Sequence, residues 1–193
     1  MNEYGFNTGL LHGTNEKYPQ GATQVPIYQS SAFRHDSAED LEKIFDNIKM
    51  GFSYTRINNP TVESFEKRVT MLEDGIGSVA CASGMAALTN AFLNILQAGD
   101  EIVAACGLYG GTVELFDDLK PFGISVKYVK ENKPEAFEAE ITEKTRLVFA
   151  ETIGNPKLDV TDIQAVAEVA HKHDVPLIVA NTVATPYLIQ PLK

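Results

Sequence analysis

Four short stretches of this sequence carry residue types that could do chemistry together. CASGMAAL (81–88) follows an apolar run and places Ser83 ahead of Gly84 and Met85. Ser83 can cap a helix, and the unpaired N–H groups of a first helical turn, reinforced by the helix dipole, favour a phosphate. CGLYGGT (106–112) sets Tyr109 beside Gly110 and Gly111, so a ring able to lie on a flat ligand stands where backbone can approach closely. ETIGNP (151–156) ends an apolar run on Glu151 and supplies Asn155, whose amide both donates and accepts. In FSYTRINNPT (52–61), Tyr54 and Arg56 alternate as on an extended segment, which turns both to one side, and such a pair suits a phosphate. Each stretch has a plain alternative: an ordinary cap, a turn tyrosine, an Asn-Pro turn, a surface arginine beside a packing tyrosine.

These stretches need a scaffold, and the patterning supplies one. SVACA (78–82) reads as a strand, GMAALTNAFLNILQ (84–97) as a helix and EIVAAC (101–106) as a strand. A helix from Gly111 to about Lys120, the strand SVKYVK (125–130) and the helix PEAFEAEI (134–141) follow. RLVFAE (146–151), TDIQAVAEVAHKH (161–173) and PLIVAN (176–181) complete the series as strand, helix and strand. Alternating strands and helices imply βαβ units and an α/β fold with a mostly parallel sheet. The first three stretches then fall at strand-to-helix turns. In a fifth, VPLIVANTVATPYL (175–188), a strand runs into Ala180, then Asn181 and Thr182, with Pro186 closing the turn. Ligands of open α/β sheets gather at the carboxyl ends of strands, so the inert side chain of Ala180 is unexpected there.

Residues 1–59 read as an extended N-terminal arm with one helix, SAEDLEKIFDNI (37–48), capped by Ser37 and carrying Leu41, Ile44, Phe45 and Ile48 on one face. Residues 60–193 read as the α/β domain, entered by a helix with Pro60 at its start and Val62, Phe65, Val69 and Leu72 at helical spacing. Buried parallel strands need helices on both faces, and after PLIVA the sequence offers one loop and no covering helix. The expectation is an α/β domain incomplete at its C-terminus.

A net charge of −10 argues against a nucleic-acid surface, which needs a basic face. No apolar run reaches the length of a membrane span, and MNEYGFNTGLLHGTNEK lacks the basic and apolar regions of a signal peptide. Cys81 and Cys106 lie in or beside apolar runs and read as reduced core residues, which with the rest points to the cytoplasm. No metal-ligand spacing appears, and His171 and His173, two apart on one helix, do not share a face.

Taken in order, GATQVPIYQSSAF, YTRINNPT, ASGMAAL, LYGGT, ETIGNP and VPLIV-NT-ATPYL resemble the pyridoxal-phosphate-dependent enzymes of cysteine and methionine metabolism, the cystathionine γ-synthase-like family. ETIGNPK and the opening TGLLHG…ATQVPIYQSS look most like the O-acetylhomoserine sulfhydrylases, with methionine γ-lyase and cystathionine γ-synthase types as alternatives. The resemblance implies pyridoxal 5′-phosphate as cofactor, a small amino-acid substrate, an oligomer, and the large domain of fold-type I enzymes. It assigns the cofactor phosphate to the Gly84 and Met85 amides, with Ser83 also binding the cofactor, the pyridine face to Tyr109, and the phenolic oxygen and substrate carboxylate to Asn155. Tyr54 and Arg56 would reach the phosphate of a neighbouring subunit, Tyr54 also touching substrate, while Ala180 and Thr182 line the cofactor floor. In the family an aspartate stands at the Ala180 position and pairs with the pyridine nitrogen. The family's Schiff-base lysine belongs to an S-x-T-K-like segment beyond ATPYL, and nothing like Ser-x-Thr precedes Lys193. The expected activity is γ-replacement with sulfide to give homocysteine, by residues that resemble the N-terminal half of such an enzyme. The chain alone is expected to be inactive. It acts either with a second polypeptide supplying that lysine or as a non-catalytic partner of a full-length paralogue.

Overall fold

The computed structural model describes residues 5–14 and 17–193 and divides the chain into two compact units, Met1–Ala80 and Cys81–Lys193. Residues 1–4 and 15–16, part of the stretch read for a signal peptide, lie outside the described residues.

The first unit holds three α-helices among its described residues: α1 (Phe6–His12), α2 (Ala38–Phe45) and α3 (Pro60–Glu73). Ser37 caps α2 as its sequence suggests, its hydroxyl accepting from the Asp40 N–H at 3.1 Å. Asn59 caps α3, accepting from Thr61 N–H and donating to Tyr28 O and Thr55 Oγ1, which ties the helix start to two arm segments. The apolar faces of these helices are largely uncovered. Phe45 and Ile48 are exposed, as are Val62 and Phe65, and of α3 only Ser64 is fully buried. Helical spacing shows that a face exists; whether it is covered depends on what packs there.

The second unit is a four-stranded sheet in the order β2-β1-β3-β4, built from β1 (Glu101–Ala104), β2 (Ser125–Tyr128), β3 (Thr145–Glu151) and β4 (Leu177–Ala180). All three pairings are parallel. The helices α4 (Gly84–Ile95), α5 (Gly110–Leu119), α6 (Pro134–Glu140) and α7 (Ile163–Lys172) flank it, α4 packing with α5 and α6 with α7. The expected α/β architecture is present. β3 sits between β1 and β4, with Leu147, Val148, Phe149 and Ala150 fully buried. Phe149 meets Phe92 of α4 and Phe116 of α5 edge-on, at centroid distances of 5.4 and 5.7 Å. β2 and β4 are the outer strands, and Leu177–Ala180 is only half-buried.

Two local expectations fail. Residues 78–82 form no strand, because no neighbouring strand pairs with them among the described residues, and a strand exists only by its ladder. Cys81 is accordingly exposed and Cys106 half-buried, both free thiols, so neither is a core residue. The segment after β4 closes in a short helix, α8 (Thr185–Leu188), with Pro186 in its first turn. None of the described helices is long and apolar enough to cross a membrane.

Replacing Phe149 by Ala should destabilise the second unit by about 3–5 kcal/mol, since two aromatic partners would face the cavity. Urea unfolding followed by circular dichroism measures it, and a loss below about 1 kcal/mol would show that this cluster does not hold the sheet.

Candidate functional site

In a parallel sheet the carboxyl ends of all strands lie on one edge, and each returning helix points its N-terminus to that edge. α5 follows β1 there, and α7 follows β3. α4 ends at Ile95 and feeds β1 through a tight turn in which Gln97 N–H bonds Asp100 Oδ2, so its C-terminus lies at the opposite edge. The Gly84 end of α4 therefore faces the carboxyl edge.

Ser83 caps α4: its Oγ accepts from Ala86 N–H at 3.1 Å and its carbonyl from Ala87 N–H at 3.0 Å. That leaves the Gly84 and Met85 amides ahead of the first intrahelical bond, next to an exposed cap. Tyr109 is the N-cap residue of α5 and is 50% exposed. The Tyr109 ring leaves no room on Gly111, where a Cβ would lie 2.5 Å from Cε1. The second glycine of LYGGT thus houses the tyrosine ring itself.

Glu151, the last residue of β3, is 7% exposed and accepts the Tyr109 N–H on Oε1 at 3.0 Å. Its own carbonyl accepts the Thr161 hydroxyl at 2.9 Å. No cation pairs with the carboxylate among the described residues, and burial pushes its pKa above the ordinary 4.5, partly offset by the Tyr109 amide. Glu151 stands directly opposite Ala180 in the parallel register, and Thr152 N–H donates to Ala180 O at 3.1 Å.

The turn after β3 meets the turn after β1. Asn155 N–H donates to Gly107 O at 2.8 Å, and a Cβ on Gly154 would lie 2.6 Å from that same oxygen. The two backbones are as close as a glycine allows, which brings exposed Asn155 beside the Tyr109 turn. Ala180 is half-buried at the end of β4; Thr182 is exposed in the turn that follows, where Asn181 Nδ2 donates to Ile189 O at 3.0 Å.

The structure thus joins Tyr109, Asn155 and Ala180 through the Glu151 carboxylate, a backbone bond and strand register, and puts Ser83, Gly84 and Met85 on the same edge. No hydrogen bond links those three to the other turns among the described residues. Tyr54 and Arg56 belong to the first unit and adopt a turn, contrary to the extended segment expected: Ile57 N–H and Asn58 N–H both bond Tyr54 O. They remain neighbours, the Arg56 guanidinium lying 5.4 Å from the centre of the Tyr54 ring. Sequence reasoning noticed Glu151 as a charge at a strand end but gave it no role. Its partner lies 42 residues away, and only the burial of a carboxylate hinted at one.

A buried carboxyl with a raised pKa binds its proton more tightly folded than unfolded, so its stabilising contribution is present below pH 4.5 and is lost as pH rises through the folded value. The variant Glu151→Gln should therefore gain stability relative to the parent as pH rises from about 4 to 8. Parallel urea titrations across that range measure it, and a pH-independent difference would contradict the burial.

The family described as Cys/Met metabolism PLP-dependent enzyme matches residues 7–193. The chain is 46% identical over 194 residues to an O-acetyl-L-homoserine sulfhydrylase of Corynebacterium glutamicum, covering 99% of this chain and 44% of that protein. It is 40% identical over 191 residues to an L-methionine gamma-lyase of Porphyromonas gingivalis, covering 98% of this chain and 48% of that protein. Among solved structures, a putative O-acetylhomoserine (thiol)-lyase of Campylobacter jejuni, crystallised with a pyridoxyl-lysine monophosphate, superposes with a TM-score of 0.92 at 33% identity. That superposition covers 98% of this chain and 47% of the other. The chain spans about half the length of the curated relatives it matches.

Proposed function

Because the chain belongs to the Cys/Met metabolism PLP-dependent enzymes, we propose that residues 1–193 are the cofactor-cradling half of an O-acetylhomoserine sulfhydrylase. The reaction is exchange of the substrate's γ-substituent for sulfide, giving homocysteine. The catalytic lysine comes from a segment outside residues 1–193, on the same or another polypeptide, in a homo- or hetero-oligomer.

The residues present fit pyridoxal 5′-phosphate at two of its three ends. The Gly84 and Met85 amides, at the positive end of a capped helix, take the phosphate, with Ser83 and Thr182 on the same edge. Tyr109 offers an exposed ring face, already oriented by its backbone, and Asn155 stands beside it to meet the phenolic oxygen and the substrate carboxylate. Tyr54 and Arg56, paired in the first unit, reach the phosphate in a neighbouring subunit and Tyr54 the substrate. The third end does not fit: Ala180 has neither charge nor hydrogen bond to keep a proton on the pyridine nitrogen. When bound, the cofactor supplies the electron sink for carbanion chemistry, and a protonated ring is the better sink.

The observation that carries this reading is the Tyr109 turn, a half-exposed tyrosine whose backbone is held by Glu151, on the same carboxyl edge as the capped N-terminus of α4. Ala180 favours a second reading, a non-catalytic partner that assembles with a full-length paralogue, because a catalytic half keeps its acid.

Spectroscopic titration with pyridoxal 5′-phosphate separates them. The chain should bind weakly alone, and Ala180→Asp should tighten binding about tenfold, as expected for one charge-assisted hydrogen bond, once the C-terminal half of a sulfhydrylase is supplied. If the reconstituted pair binds no cofactor, the catalytic-half reading fails. If the chain changes the assembly of a full-length enzyme but adds no turnover of O-acetylhomoserine, the second reading stands.

A further inference from the structure

Glu151 is the one buried carboxyl on the carboxyl edge of the sheet among the described residues, and none of the roles above uses it. Its Oε1 reaches across from β3 to the N–H of Tyr109, 42 residues earlier in the chain. That N–H belongs to the N-cap residue of α5, which has no side-chain cap of its own. The ring of Tyr109 leans on Gly111, and the residue is half exposed. The backbone of the residue is held by Glu151, and the backbone of Gly107, two residues before it, by Asn155.

We infer that Glu151 is a positioning residue: it fixes the Tyr109 turn so that the exposed ring presents one face to a planar ligand. This rests on the pyridoxal-phosphate reading for the identity of that ligand, but not for the fixing of the turn. The geometry is economical. The strand that ends in Glu151 is fully buried from Leu147 to Ala150, so the anchor is rigid, while the anchored tyrosine remains accessible. What the anchor needs is an acceptor at the right distance, not a charge. Glutamine keeps that acceptor; aspartate keeps the charge but is one methylene too short for a 3.0 Å bond.

The chain contains no tryptophan, so Tyr109→Trp creates a single indole fluorophore at the site. In this background Glu151→Gln should leave quenching by pyridoxal 5′-phosphate within about twofold of the parent, and Glu151→Asp should weaken it about tenfold, the scale of one hydrogen bond. Amide hydrogen exchange at Tyr109, read without cofactor in the otherwise unmodified chain, should stay protected in Glu151→Gln and quicken about tenfold in Glu151→Asp. Absence of quenching in the parent with exchange still following this order would overturn the cofactor reading and leave the positioning role standing. The reverse order, with aspartate behaving like the parent and glutamine not, would overturn the positioning role in favour of charge. Equal exchange in all three would overturn it outright.

Discussion

The second unit depends on the pairing of β3 with a parallel neighbour on each side. Parallel pairing forces every strand to end on one edge, and it buries β3 on both faces under flanking helices. Val148, Phe149 and Ala150 have no exposed surface, so the end of that strand is held as firmly as anything in the molecule. The edge it defines is where Glu151, Ala180 and the turns carrying Tyr109 and Asn155 come together. Because the strand is buried and its end fixed, the residues that could do chemistry gather on turns whose starting points are fixed.

The two buried glutamates at opposite ends of the sheet illustrate how differently a carboxylate can be used. Glu101, at the amino edge, accepts from the Thr142 and Thr145 hydroxyls at 2.9 and 3.0 Å and pairs with Lys127 at 3.2 Å, so its charge is locally satisfied. Glu151, at the carboxyl edge, has a single backbone amide. A carboxylate with so little compensation is costly to bury, which is why its proton is held more tightly than usual. Such under-compensated groups concentrate where a protein binds or reacts rather than where it merely holds together.

Much of this could be read in the sequence. The alternation of apolar strands with helices is dictated by the need to cover both faces of a parallel sheet, so the architecture from 84 to 180 follows from local patterning. The caps at Ser37 and Ser83 were legible because a short hydroxyl side chain has one favourable use ahead of a helix. The candidate positions at strand-to-helix turns followed from the same logic. Where the reading failed, the missing information was non-local. SVACA has the composition of a strand, yet a strand needs a neighbour, and composition does not say whether one is there. The helical spacing of Val62 and Phe65 is borne out by α3, but their exposure could not be read from it, because spacing describes a helix and not its surroundings.

The sequence by itself determined the element types and their order from 84 to 180 and the chemical character of the edge, including the alanine at 180, since these depend on side-chain chemistry and on contacts within a few residues. Only the tertiary structure decided which groups meet. The Tyr109–Glu151 bond, the Gly107–Gly154 approach and the turn that lays Arg56 against Tyr54 depend on where the folded backbone places these groups. In the first two, that geometry joins turns more than forty residues apart. Distances of that kind are set by the packing of the sheet as a whole, and no periodicity in the chain encodes them.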